Sequence, residues 1–87
     1  MTTQEIPQLV LYKKDSCPFC QRVFTVINEE LSTIIASALE YKDIVQDPAS
    51  REELIAKGGK AQIPCLFING EPLYESSDII SYLRGLA

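Results

Sequence analysis

Eighty-seven residues, 46% hydrophobic and 23% charged, fit one ordinary globular domain over residues 1–87 and exclude a disordered chain. Eight Lys and Arg against 12 Asp and Glu give a net charge of −4, which disfavours nucleic acid as a partner because its binders carry a basic footprint. There is no His, so the chain has no His base and no Cys–His pair, and three Cys fall short of a structural zinc site's ligand set.

An odd cysteine count, with a polar start and no apolar signal segment, argues against a secreted disulfide framework. No apolar run approaches the ~18 residues that span a bilayer. The expectation is a cytoplasmic protein without a membrane partner.

Leu9 to Tyr12 is a continuous apolar run, which fits a strand buried on both faces as in a parallel sheet. Lys13 to Ser16 turns out of it. Pro18 suits the first position of a helix, where its missing N–H costs nothing. Apolar residues then recur at helical spacing from Phe19 through Val23, Ile27 and Leu31 to Ala38, with Ser32-Thr33 as a candidate break in the helix. Leu39 to Val45 forms the second strand. Asp47-Pro48 signals a helix start and Gly58-Gly59 a stop, bracketing a second helix over Arg51 to Lys57. Pro64 to Ile68 is a strand, Asn69-Gly70 a tight hairpin turn, and Pro72 to Tyr74 the returning strand. Ser76 or Ser77 caps a last helix from Asp78 towards Arg84. The order β-α-β-α-β-β-α predicts an α/β fold, a four-stranded mixed sheet with helices on both faces.

Cys17-Pro18-Phe19-Cys20 falls where the first strand ends and a helix begins. The thiolate is the reactive form of cysteine, and an ordinary thiol with a pKa of about 8.5 is mostly protonated at neutral pH. A helix amino end stabilises negative charge through its unpaired N–H groups and aligned dipoles. Cys17, at the cap position, is therefore the expected nucleophile, and Cys20, one turn in, the resolving thiol. Lys14 adds positive charge and Asp15 opposes it. Two buried core cysteines without chemistry are the plain alternative; metal binding by the pair alone would need ligands from elsewhere.

The strand order brings Pro64 beside Cys17. A trans proline there would be merely structural. A cis proline would turn the Ile63 backbone towards the cysteines, free to pair with an extended peptide. Glu75-Ser76-Ser77-Asp78 opens the last helix, whose N–H groups suit a carboxylate while Glu75 or Asp78 suits an ammonium group. Cys65 reads as a small buried hydrophobe, Phe24, Tyr41 and Phe67 as core, and Phe19 as exposed beside the site.

These residues resemble a family. Lys14-Asp15-Ser16-Cys17-Pro18-Phe19-Cys20 before a helix, Gln62-Ile63-Pro64 before a strand and Glu75-Ser76-Ser77-Asp78 before the last helix are similar to the dithiol glutaredoxins, over about Gln8 to Leu83. The resemblance implies a thioredoxin fold and reduction of disulfides and glutathionylated thiols, with glutathione as co-substrate, no resident metal and a monomeric chain. It implies that glutathione pairs with Ile63 ahead of a cis Pro64. Its γ-glutamyl end would sit on Ser76, Ser77 and Asp78, and its glycyl carboxylate would meet Lys14 and Gln62. Phe19 and Glu75 complete the expected site. Two departures stand out: Gln62-Ile63-Pro64 replaces the common Thr-Val-Pro, and Tyr74-Glu75 replaces a Gly-Gly pair. Glu75-Ser76 is instead similar to the glutathione site in the N-terminal domain of glutathione S-transferases, enzymes that need a helical second domain for which 87 residues leave no room. A glutathione-binding module or an iron–sulfur carrier built from two chains and two glutathiones are the alternatives with little turnover.

Overall fold

The computed structural model describes residues 6–86. Its elements run β1 (Leu9–Lys13), α1 (Pro18–Glu30), α2 (Thr33–Ala38), β2 (Leu39–Asp43), α3 (Pro48–Gly58), β3 (Cys65–Ile68), β4 (Glu71–Tyr74) and α4 (Ser76–Leu86). The sheet order is β2-β1-β3-β4, with β1 parallel to β2 and the other two pairs antiparallel. This is the mixed α/β sheet that the element order predicts, with one helix more.

The extra helix is the break at Ser32. The α1 helix ends at Glu30, Leu31 turns extended, and the Ser32 hydroxyl accepts from the Ile35 N–H to start α2. A serine side chain competes for the backbone and favours caps over helix interiors, so the apolar period continues while the helix does not. β2 is shorter than Leu39 to Val45, because the Asp43 carboxylate takes the Val45 and Gln46 N–H groups and turns the chain.

Two clusters flank the sheet. Leu9, Leu11, Leu39 and Leu66 meet Val23 and Ile27 of α1 and Ile79 and Leu83 of α4. Tyr12, Cys65 and Phe67 meet Leu54 of α3 on the other side. Burial of each such aliphatic side chain contributes about 1.5–3 kcal/mol. Tyr41 corrects an expectation: it is 44% exposed, packed edge-on against Phe24 at the margin of the sheet rather than in the core.

The predicted punctuation fits. The Asp47 carboxylate accepts from the Ala49 N–H ahead of Pro48, and Gly59 ends α3 at φ 94° with its N–H on the Ile55 carbonyl. Asn69 and Gly70 both have positive φ, as the two-residue hairpin turn needs. At α4 the structure differs from expectation. The helix starts at Ser76, so neither Ser76 nor Ser77 is its cap; the Glu75 carbonyl takes the Ile79 N–H from a left-handed backbone at φ 75°.

Candidate active site

The β1 strand delivers Lys13 and Lys14 to a one-turn corner in which the Cys17 N–H meets the Lys14 carbonyl at 3.1 Å. Cys17 then stands at the cap of α1 with Pro18 as first residue, and the Gln21 N–H meets its carbonyl at 2.9 Å. Asp15 does not act against the thiol freely, because Lys13 Nζ holds its carboxylate at 2.6 Å.

The two thiols differ. Cys17 is partly exposed and Cys20 fully buried. Burial alone pushes the Cys17 thiol up, but the Cys20 N–H, the Cys20 thiol, the Phe19 N–H and the Lys14 charge together hold it below its ordinary value. No full cap hydrogen bond closes on the Cys17 side chain; the pull comes from donors gathered about the helix end. Cys20 is pushed up, by burial first and then by its contact with Cys17. Cys65 is buried too, and burial pushes its thiol up to about 11.

Phe19, Gln62, Ile63, Pro64, Glu75 and Ser76 line one groove of about 250 Å³. It gathers residues from the start of α1, the segment before β3 and the start of α4. The Ile63–Pro64 peptide is cis, and Phe19 is 55% exposed. Lys14, Ser77 and Asp78 are exposed outside this lining. Neither Cys17 nor Cys20 lines this groove, but Phe19, between them in sequence, does. A larger concavity of about 550 Å³ beside Ile6, Ile34 and Leu86 has no charged residue in its lining and none from the Cys17–Cys20 segment. Chemistry, not size, selects the smaller groove.

One relationship escapes the sequence: Gln62 Nε2 donates to Glu75 Oε2 at 2.7 Å across 13 positions. Another is the closeness of Gly58 to Tyr74, whose hydroxyl donates to the Lys60 carbonyl at 3.1 Å. The pairing of a small residue with an aromatic one leaves no trace in a one-dimensional pattern.

The fold and a thiol pair at the head of α1 define a thioredoxin-fold protein related to the glutaredoxins. Two solved structures overlie it with that fold: the holo form of glutaredoxin C1 from Populus tremula x tremuloides, at TM-score 0.66 and 15% identity over 92% of this chain and 80% of that one, and oxidized glutaredoxin 2 from Chlamydomonas reinhardtii, at 0.65 and 21% over 91% and 73%. Glutaredoxin 3 of Escherichia coli strain K12 is 25% identical over 69 residues, 79% of this chain and 77% of the relative. The chain belongs to the family described as glutathione S-transferase, N-terminal domain, whose model matches residues 11–87. Both resemblances carried by the motifs are thus present together.

Proposed function

We propose that this chain is a glutathione-dependent thiol–disulfide oxidoreductase working through Cys17 and Cys20. The observation that carries the reading is the inequality of the thiols: one accessible and acidified, its neighbour buried and kept protonated. Exchange needs a thiolate that is formed near ambient pH yet still nucleophilic, and a modestly lowered Cys17 meets both conditions.

In this mechanism the Cys17 thiolate attacks the glutathione sulfur of a mixed disulfide. The S–S bond breaks, the target sulfur leaves as thiolate and takes a proton from water, and Cys17 carries the glutathionyl group. A second glutathione thiolate attacks that sulfur, releasing Cys17 and oxidised glutathione. With a protein disulfide, Cys17 instead forms a mixed disulfide with the protein. Its negative charge and hydrogen bond, which help hold the Cys20 proton, then vanish. Cys20 loses its proton, attacks the Cys17 sulfur and expels the reduced target. Two glutathione molecules restore the dithiol.

The groove supports the tripeptide reading. Ile63 offers its backbone, Gln62 and Glu75 offer polar ends, and Ser76 opens α4 with Ser77 and Asp78 in its first turn; Lys14 lies on the corner before Cys17. The substrates are glutathionylated and disulfide-bonded proteins, and a reducing compartment such as the cytoplasm supplies the glutathione. No helix among the described residues is long and apolar enough to cross a membrane. The iron–sulfur alternative needs ligands from glutathione and a second chain, since no group of three or more His, Cys, Asp or Glu among the described residues could hold a metal.

The deciding assay is hydroxyethyl-disulfide reduction with glutathione, glutathione reductase and NADPH. Cys17→Ser is expected to abolish turnover, and Cys20→Ser to keep reduction of glutathionylated substrate. Full turnover in Cys17→Ser ends the proposal.

A further inference from the structure

The sheet has two open edges, and they are not alike. On β4 the backbone groups of Pro72 and Tyr74 face outward, since Leu66 and Leu73 form the paired positions of a two-residue hairpin; Pro72 has no N–H to offer there. That edge is protected against strand addition. The β2 edge carries no such guard.

Which β2 groups face outward follows from the ladder. The Ile44 N–H bonds the Lys13 carbonyl at 3.1 Å, and residues along a strand alternate in direction. Glu40, Lys42 and Ile44 therefore face β1, and Leu39, Tyr41 and Asp43 face the open edge. Two of those outward groups are already used: the Leu39 N–H bonds the Ala36 carbonyl, and the Asp43 carbonyl takes the Asp47 N–H. Four remain with no partner among the described residues: both groups of Tyr41, the Leu39 carbonyl and the Asp43 N–H.

We infer that β2 pairs antiparallel with β2 of a second copy, about a twofold axis at Tyr41. In that register each Tyr41 exchanges both bonds with the partner's Tyr41, and each Asp43 N–H meets the partner's Leu39 carbonyl. The unpaired groups are matched and the occupied ones are not asked to change. Side chains agree as well. Glu40 comes opposite the partner's Lys42, twice over, in a pair without intervening hydrogen bonds, where side chains approach closest. Glu40 has no ion pair among the described residues, while Lys42 reaches Glu53 from the same face of the sheet. The two exposed tyrosines come together on the other face, and the antiparallel arrangement carries Ile34 at one end towards the partner's Val45. These side chains are 44%, 70% and 59% exposed for Tyr41, Ile34 and Val45. The result is one eight-stranded sheet, in place of the monomer expected from sequence, and it does not depend on the thiol chemistry.

The test is sedimentation over a concentration series with two charge variants. The wild type is expected to approach twice the 9.7 kDa chain mass as loading rises. Glu40→Lys faces Lys with Lys, Lys42→Glu faces Glu with Glu, and each alone is expected to halve the mass. Mixing the two restores opposite charges at both positions and is expected to double it again. A wild type monomeric at every loading overturns the inference, leaving the edge vacant or open to an extended peptide of another protein. Variants that stay dimeric, or a mixture that stays monomeric, overturn this register. Should Lys42→Glu fail to fold by circular dichroism, Tyr41→Pro removes one outward N–H and is expected to give monomer; persistence of the dimer then refutes the edge.

Discussion

Gln62 Nε2 and Glu75 Oε2 meet at 2.7 Å, joining the segment before β3 to the turn before α4 at the rim of the groove. The bond fixes a carboxylate where the last helix begins. Truncating Glu75 to Ala frees Gln62 and removes that charge. A hydrogen bond to a charged group is worth about 1.5–3 kcal/mol when shielded and less when exposed, so KM for glutathione is expected to rise about 3- to 10-fold. Steady-state kinetics with kcat nearly unchanged is the expected pattern; an unaltered KM removes Glu75 from the ligand contacts.

The same residue sits at φ 75°, a backbone region that glycine occupies without strain. Glu75→Gly is expected to stabilise the fold by about 1 kcal/mol while weakening glutathione binding. Thermal melts and binding isotherms on one sample separate the two effects. A lower melting temperature would mean that the Gln62 bond outweighs the backbone term.

Cys17 should alkylate with a pH midpoint below that of an ordinary thiol. Removing the nearby cation in Lys14→Ala disfavours the thiolate and moves the midpoint upward. The linked effect on stability has a definite sign. A depressed folded pKa contributes stability that is complete above the unfolded thiol value and fades as pH falls through the folded one. Cys20 and Cys65, both pushed up, contribute in the opposite sense, and their share is lost as pH rises towards their folded values. Iodoacetamide rates across pH 5 to 10 in Cys20→Ser isolate the Cys17 midpoint; no upward shift in Lys14→Ala would deny that lysine its role.

Glu53 receives Lys42 and the Tyr12 hydroxyl and lies near Lys57, and these partners hold its carboxyl down at about 2. Its contribution is present above the ordinary carboxylate range and lost as pH falls towards 2. Glu53→Gln should cost about 1 kcal/mol at neutral pH, because the group is partly solvated. The gap between wild type and variant should close in acid. Denaturant titrations at several pH values show whether it does.

A methyl group at Gly58 would stand 2.2 Å from the Tyr74 hydroxyl and 3.4 Å from Phe67. Alanine favours a helix over glycine by up to about 1 kcal/mol, but overpacking against a ring costs about 1–3. The net expectation for Gly58→Ala is a loss of about 1 kcal/mol, read as a lower urea midpoint at unchanged m-value. Adding Tyr74→Phe should recover part of it.

Local chemistry is legible in the order of residues alone. Pro18, Asp47-Pro48, Gly58-Gly59 and Asn69-Gly70 act through their own backbone preferences, so the helix starts, the helix stop and the hairpin can be read along the chain. The lowering of Cys17 is partly readable, because its N–H donors and Lys14 lie within a few residues, whereas the burial that raises Cys20 depends on packing. Ser32 is only half legible: apolar spacing persists across it, and the competition between its hydroxyl and the helix ladder is decided by packing. Tyr41 reads as core because composition does not reveal which strand lies at a sheet edge.

Sequence by itself determined the order of the strands and of three helices and placed Cys17 among the N–H donors of a helix start, since each depends on interactions a few residues long. Tertiary structure alone decided that Gln62 touches Glu75, that Gly58 gives way to Tyr74, and that β2 forms an edge of the sheet. Those outcomes depend on which distant segments become neighbours, and burial and strand pairing settle that only once the whole chain has closed.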